Sequence, residues 1–213
     1  MVKKALSFLI AAAVFLGPTL AQAQEDRAGM VVRSPSVTSR NDFRVDAPLK
    51  TWTGMLDNLY LMGKLWEIYN FQPSYKTSRV DSGFHIVDPS GISADIRLID
   101  QSDRSRTFYA EGRFDHWAIP TFFSADAVFV FEYEPDGDKA LKGVLKIYMR
   151  GSNGVSRFVM NAFSDVLVGR IKNRFHSNLE DAKKIIHDIM NNPETLRKGL
   201  TGAYLNEFNR LYE

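Results

Sequence analysis

Between residues 78 and 149 the chain repeatedly alternates apolar and polar side chains with a period of two, and each run ends at a turn signal. The clearest run puts Ile92, Ala94, Ile96 and Leu98 on one side and Ser93, Asp95 and Arg97 on the other. A period of two places alternate residues on opposite faces of a strand, so each run predicts a strand with one buried face. The pattern yields five strands, at 78–87, 92–98, 105–114, 125–133 and 140–149. The expected inward residues include Phe108, Ala110 and Phe114, then Ala125, Ala127, Phe129, Phe131 and Tyr133, then Leu141, Gly143, Leu145, Ile147 and Met149. Asp88-Pro89-Ser90-Gly91 and Glu134-Pro135-Asp136-Gly137-Asp138 are tight-turn sequences, the second with an Asp-Gly pair suited to positive φ angles. Pro120 makes 115–123 a bend rather than a central strand. Short links between successive strands imply an antiparallel sheet with one buried face.

That face needs a cover, and helical patterns flank the sheet on both sides. At 48–69, Trp52, Leu56, Leu59, Leu61 or Met62, Trp66 and Tyr69 recur at steps of three and four, which predicts one amphipathic helix ended by Pro73. Its Gly54 and Gly63 leave room for another element to approach. The last third is helical: Val155, Phe158, Val159, Ala162, Phe163, Val166 and Leu167 form an apolar stripe, continued by Ile171, Phe175 and Leu179 and then by Ala182, Ile185, Ile186 and Ile189. Asn191-Asn192-Pro193 breaks it, and a short helix follows within 191–213. The expected class is therefore α+β: a curved antiparallel sheet of about five or more strands packed on a long C-terminal helix, with an additional N-terminal helix.

The N-terminus reads as an export signal. Lys3 and Lys4 precede an apolar stretch from Ala5 to Leu16, and Ala21-Gln22-Ala23 has the small-x-small pattern of a cleavage site. Cleavage near Ala23-Gln24 leaves a periplasmic or secreted protein. The apolar stretch is shorter than the ~20 residues that span a bilayer. The chain has no cysteine, so neither lipidation at the cleavage site nor a disulfide is available, and stability must come from core burial. Loss of Lys3 and Lys4 lowers Lys+Arg from 27 to 25, against 25 Asp+Glu, which leaves a formally neutral chain and argues against nucleic acid as a partner. The expected organisation is a signal peptide at 1–23, a polar flexible leader at 24–47, one domain at 48–190 and a helical extension at 191–213.

A helix, a meander of antiparallel strands and a long amphipathic C-terminal helix together resemble the helix-grip arrangement of the START-like superfamily. The similarity spans roughly 49–189. It is carried by the last strand, Gly143-Val144-Leu145-Lys146-Ile147-Tyr148-Met149-Arg150, and by the helix from Phe163 to Ile189, including Phe175-His176-Ser177-Asn178-Leu179-Glu180. The resemblance implies a cavity between sheet and helix that takes lipids, sterols or other apolar molecules, with some relatives acting as cyclases or similar enzymes. Two elements usual in that arrangement, a strand before the first helix and a pair of short helices after it, are not evident in the sequence unless part of Asn41 to Val45 supplies the strand, and a curved-sheet fold of the cystatin or nuclear-transport-factor type is the alternative. No catalytic residue carries over.

Aromatic loading of the inward face and its connections supports the same function. The candidate cavity residues are Phe84, Ile96, Phe108, Phe129, Phe131, Leu145, Ile147, Val159, Phe163 and Trp117, with Ala94, Ala110, Ala127 and Gly143 as small inward positions that leave space. An apolar pocket with few polar groups is the usual form of a small-molecule site. The four histidines, His85, His116, His176 and His187, lack metal-pair spacing, and neither a metal nor another cofactor is expected. His85, Asp95, Glu111, Asp126 and His116 are the acid–base candidates, but no nucleophile or phosphate motif accompanies them. The expected function is an exported binding or carrier protein for an apolar small molecule or lipid, with transient membrane contact. The alternatives are a cyclase- or hydrolase-like enzyme, which needs ionisable residues pointing inward, such as His85 or Glu111 if a bulge shifts the register, and an envelope interaction module docking through 52–75 or the last helix.

Overall fold

The computed structural model describes residues 20–80, 83–89, 91–114 and 123–212. Its elements run α1 (Leu20–Arg33), β1 (Val37–Val45), α2 (Leu49–Leu56), α3 (Leu59–Ile68), β2 (Lys76–Val80), β3 (Gly83–Asp88), β4 (Ile92–Ser102), β5 (Ser105–Phe114), β6 (Ser124–Pro135), β7 (Leu141–Gly151), α4 (Gly154–Ala162), α5 (Ser164–Asn191), α6 (Pro193–Gly199) and α7 (Gly202–Tyr212). The strands form one antiparallel sheet in the order β1-β7-β6-β5-β4-β3-β2. The expected α+β class, with a curved sheet and a long C-terminal helix, is the observed one. Among the described residues, no helix is long and apolar enough to cross a membrane.

The expected leader is structured instead. β1 alternates buried and exposed along its whole length and pairs with β7 from Val37↔Met149 to Val45↔Leu141. Its inward set, Val37, Ser39, Asn41, Phe43 and Val45, contains two polar residues, so the period of two is hidden in hydrophobicity although present in burial. Residues of α1 are ordered as well: Ala28 and Val31 pack on Tyr109 and Val128, on the convex face of the sheet.

Two further boundaries differ from expectation. The strand expected at 78–87 is a hairpin, with β2 and β3 paired from Lys76↔Val87 to Val80↔Gly83. The helix expected at 48–69 breaks into α2 and α3 at Asp57-Asn58, which supplies the pair of short helices that the helix-grip resemblance implies. Arg106 explains the break. It lies on the inner face of β5, is buried, and is held by Asp57 through Nε–Oδ1 at 2.5 Å and Nη2–Oδ2 at 3.0 Å. Its Nη1 also donates to the Tyr133 hydroxyl at 3.0 Å. A buried guanidinium requires such a partner, and a continuous helix would carry Asp57 past it.

The main core lies between the sheet and the helices α2, α3, α5, α6 and α7. Leu196, Leu200 and Phe208 are buried in it, so the C-terminal extension belongs to the domain. At Gly63 an added Cβ would stand 2.3 Å from Thr77 Cγ2; glycine lets α3 lie directly on β2. Trp52, Leu56 and Trp66 are also buried. The apolar faces of 52–75 and of the last helix are thus consumed by the fold, which removes them as docking surfaces.

Candidate ligand cleft

Strand register divides the concave face into rows, because residues directly opposite in an antiparallel sheet share a face. One row runs Ile86, Ala94, Gly112, Ala125 and the next Phe84, Ile96, Ala110, Ala127, Met149 and Val37. Their central positions are small: Ala94, Gly112 and Ala125, then Ala110 and Ala127. The following rows are bulky. One contains Leu98, Phe108, Phe129 and Ile147, and another Arg106, Phe131 and Leu145. The sheet therefore has a low floor at one end and a tall aromatic wall at the other.

The wall is solid. Phe43 lies 5.1 Å from Trp52, 6.4 Å from Phe131 and 6.1 Å from Phe175 between ring centroids. Phe131 adds an edge contact to Phe108 at 6.1 Å. Phe108 and Phe131 are thus core residues that close one end of the grip. Gly143, expected to leave space, is filled: a Cβ there would stand 2.6 Å from the Phe43 ring.

Over the floor the packing is looser. The inward stripe of α5 is Leu167, Val168, Ile171, Phe175 and Asn178, all half-buried, followed by Leu179, Ile185, Ile186 and Ile189, all buried. Below it, Ile86, Ala94, Ile96, Gly112 and Phe129 are also half-buried, although β3 to β6 are interior strands of the sheet. A closed core would bury such positions completely. The first half of α5 and this end of the sheet therefore meet in a partly solvent-exposed seam among the described residues, with Leu167, Val168 and Ile171 packed on Val37, Ala125 and Met160 and with Ala110, Ala125 and Ala127 buried. Its far end is closed by Met160 of α4, packed with Val37 and Ala125.

Polar groups ring the cleft. Arg174 on α5 reaches Asp88 at the end of β3 at 3.5 Å, and the Asn178 amide donates to the Tyr75 hydroxyl at 3.1 Å. Burial pushes the Tyr75 hydroxyl above its ordinary pKa. Ser39 and Asn41 of β1, both buried, continue the two bulky rows beyond Ile147 and Leu145. Two other recesses, of about 470 and 260 Å³, lie beside Tyr69, Lys183 and His187 and beside Lys50, Met190 and Tyr212, away from this face.

The structure distributes the ten candidate residues as follows. Phe84, Ile96, Phe129 and Ile147 lie on the concave face at or beside the floor, and Leu145 lies between the wall and Asn41. Trp117 lies outside the described residues. Val159 is half-buried, but Met160 is the residue of α4 that meets the sheet. Phe163 is 59% exposed and points away. The stripe expected to run unbroken from Val155 to Leu179 fails at Phe163, where α4 ends and α5 begins. Asn153 caps α4 by accepting from the Ser156 amide at 2.8 Å, and this fixes Ser156 and Met160 as its buried face. Val155, Phe158, Phe163 and Val166 are left outside.

The acid–base candidates occupy the opposite surface. His85, Asp95, Glu111 and Asp126 sit side by side across β3 to β6 on the convex face. His85 Nδ1 is 2.8 Å from Asp95, and Glu111 is paired with Arg27 of α1 at 3.2 Å. Burial, with the neighbouring Glu111 charge, raises the pKa of Asp126. His116 lies outside the described residues. Neither His85 nor Glu111, the examples expected to turn inward for catalysis, does so. Among the described residues no three His, Asp or Glu side chains converge as a metal site.

No protein-family profile matches the chain, and no curated protein matches its sequence. Solved structures do match its shape. A conserved protein from Geobacillus kaustophilus superposes with a TM-score of 0.52 at 10% identity, over 71% of this chain and 96% of its own. A protein from Arthrobacter aurescens gives 0.50 at 10% identity, over 72% and 87%. At this identity the likeness concerns the fold alone.

Proposed function

We propose that this is an exported binding or carrier protein of START-like type that holds an apolar, lipid-like molecule between the sheet and α5. The observation that carries this reading is the contrast along α5. Leu179, Ile185, Ile186 and Ile189 are buried, whereas Leu167, Val168, Ile171, Phe175 and Asn178 are half-buried, beside the half-buried Ala94 and Gly112 and the buried Ala110 and Ala127. Apolar residues left partly exposed on both the helix and the sheet favour a ligand that would bury them, at about 25 cal/mol per Å². The test is mass spectrometry of organic extracts from gently purified mature protein, with titration of the neutral fluorophore 1-N-phenylnaphthylamine. A co-purifying apolar molecule and saturable enhancement that it abolishes are expected. Clean extracts together with no enhancement would refute the reading.

Export places the carrier in an aqueous envelope compartment, where an apolar cargo needs shielding. Intact-mass measurement of the expressed protein is expected to give a chain beginning at Gln24; a retained Met1 would refute export by this signal. Loading from a membrane is supported by the α4–α5 elbow, where Val155, Phe158, Phe163 and Val166 are 55–74% exposed. At helical spacing, Arg170 extends the Phe163–Val166 face by one turn, and Arg157 is exposed beside Phe158. Exposed rings flanked by cations suit an anionic lipid surface. Co-sedimentation with phosphatidylglycerol vesicles should be lost in Phe158→Glu and weaken with salt; self-association lost in the same variant would indicate a second copy instead.

A further inference from the structure

We propose that the buried Ser39–Asn41 pair on β1 is the polar recognition point of the cleft and selects an apolar molecule bearing a neutral hydroxyl group. The proposal rests on the carrier reading above and adds the chemistry of the ligand's polar end. Ser39 and Asn41 are 6% and 4% exposed. Register sets them opposite Ile147 and Leu145 on the concave face, and β1 is the strand that α5 covers most closely. They interrupt an otherwise apolar inward set, Val37, Phe43 and Val45, at positions where a branched apolar residue would satisfy the alternation. The Asn41 Nδ2 donates to Ser39 Oγ at 3.1 Å. The Asn41 Oδ1, buried as well, accepts no hydrogen bond from any described residue.

A buried acceptor without a donor carries a desolvation penalty that native cores avoid, so the position calls for an incoming donor. Ser39 Oγ, which accepts from Asn41, still has its own hydrogen to give. The pair thus presents one acceptor and one donor side by side, and a hydroxyl group both donates and accepts. A carboxylate would set its negative oxygens against Asn41 Oδ1, and an ether or hydrocarbon would leave that oxygen unmatched. The molecule's apolar body would lie beside Ile147 and Phe129, toward Ala127 and Ala110 on the floor.

The experiment is displacement of 1-N-phenylnaphthylamine from the mature protein by decan-1-ol and by its isomer 1-methoxynonane, which lacks the O–H. One net hydrogen bond corresponds to roughly five- to tenfold in affinity. The wild type is expected to prefer the alcohol over the ether by about that factor more than Asn41→Leu does, with Ser39→Ala intermediate. Asn41→Leu should melt no lower than wild type, because a near-isosteric apolar side chain replaces an unmatched amide. An alcohol preference unchanged in Asn41→Leu overturns the proposal and leaves the carrier reading standing. Absence of fluorophore binding by the wild type overturns both.

Discussion

Replacing Ala94 by Phe tests the cleft at its floor. Ala94 lies on an interior strand between Ile86 and Gly112 and is half-buried. A ring at this position would stand in the space that the bound molecule is proposed to occupy. A Phe side chain offers about 150–250 Å² for burial. If roughly a quarter of that, ~50 Å², replaces ligand contact at about 25 cal/mol per Å², the loss is ~1.2 kcal/mol, about eightfold in Kd. Stability should change little, because aromatic residues suit strands and Ala94 is only half-buried. In a filled core, overpacking would cost about 1–3 kcal/mol, a fall of roughly 2–12 °C in Tm for a domain of this size. The assay is a fluorophore titration beside a thermal melt. Unchanged affinity would refute the reasoning, and so would a loss of affinity matched by a Tm drop in that range.

Three further outcomes follow from contacts outside the cleft. Asp57→Ala strands the Arg106 guanidinium, whose side chain is 10% exposed while that of Asp57 is 37% exposed. The expected loss is about 2–3 kcal/mol in urea unfolding, below the ~3–5 of a fully buried pair because Asp57 is partly solvated. Asp188 has its pKa lowered, chiefly by the hydrogen bond from the Tyr69 hydroxyl, so its contribution is present above the ordinary carboxylate pKa and lost as pH falls through the depressed value. Tyr69→Phe should therefore lower Tm by about 1–3 °C at pH 7, with the difference from wild type vanishing under acid. Asp126 is the opposite case: its pKa is raised by burial and by Glu111, so ionisation penalises the fold once pH exceeds the raised value. Asp126→Asn should melt higher than wild type at pH 7, and the gap should close as pH drops below the carboxylate range; a gap independent of pH would contradict this assignment.

Alternation marked β4, β5, β6 and β7 because each carries one apolar face and meets a clear turn. β1 escaped the same test because Ser39 and Asn41 occupy inward positions, so its period of two shows in burial and not in hydropathy. The β2–β3 hairpin was masked by the polar Lys76-Thr77-Ser78-Arg79, which lies at the sheet edge, where little apolar surface is buried. The α2–α3 break was invisible for a different reason: it depends on Asp57 meeting Arg106, 49 positions away in sequence, and no local pattern encodes such a pair. The site was half legible. Small inward residues at 94, 110 and 127 could be counted from alternation, but the outward turn of Phe163 could not, since an apolar stripe reports spacing and not where a helix is interrupted.

The same residue types serve two purposes on one face. Bulky rings at Phe43, Trp52, Phe108, Phe131 and Phe175 interlock and stabilise the domain without a disulfide, while alanine and glycine on the neighbouring rows leave less side-chain volume between the sheet and the helix. Each inward position faces a conflict, because filling the floor would strengthen the fold and abolish the cleft. The chain resolves it by row: large residues from Phe108 toward β1, small ones across Ala94, Gly112, Ala110 and Ala127. Asn41 stands beyond the end of a large row, where a leucine would cost nothing in shape and would remove an unmatched acceptor. An amide at that place, on a chain without a disulfide, is what the proposed hydroxyl-bearing ligand would account for by supplying the missing donor.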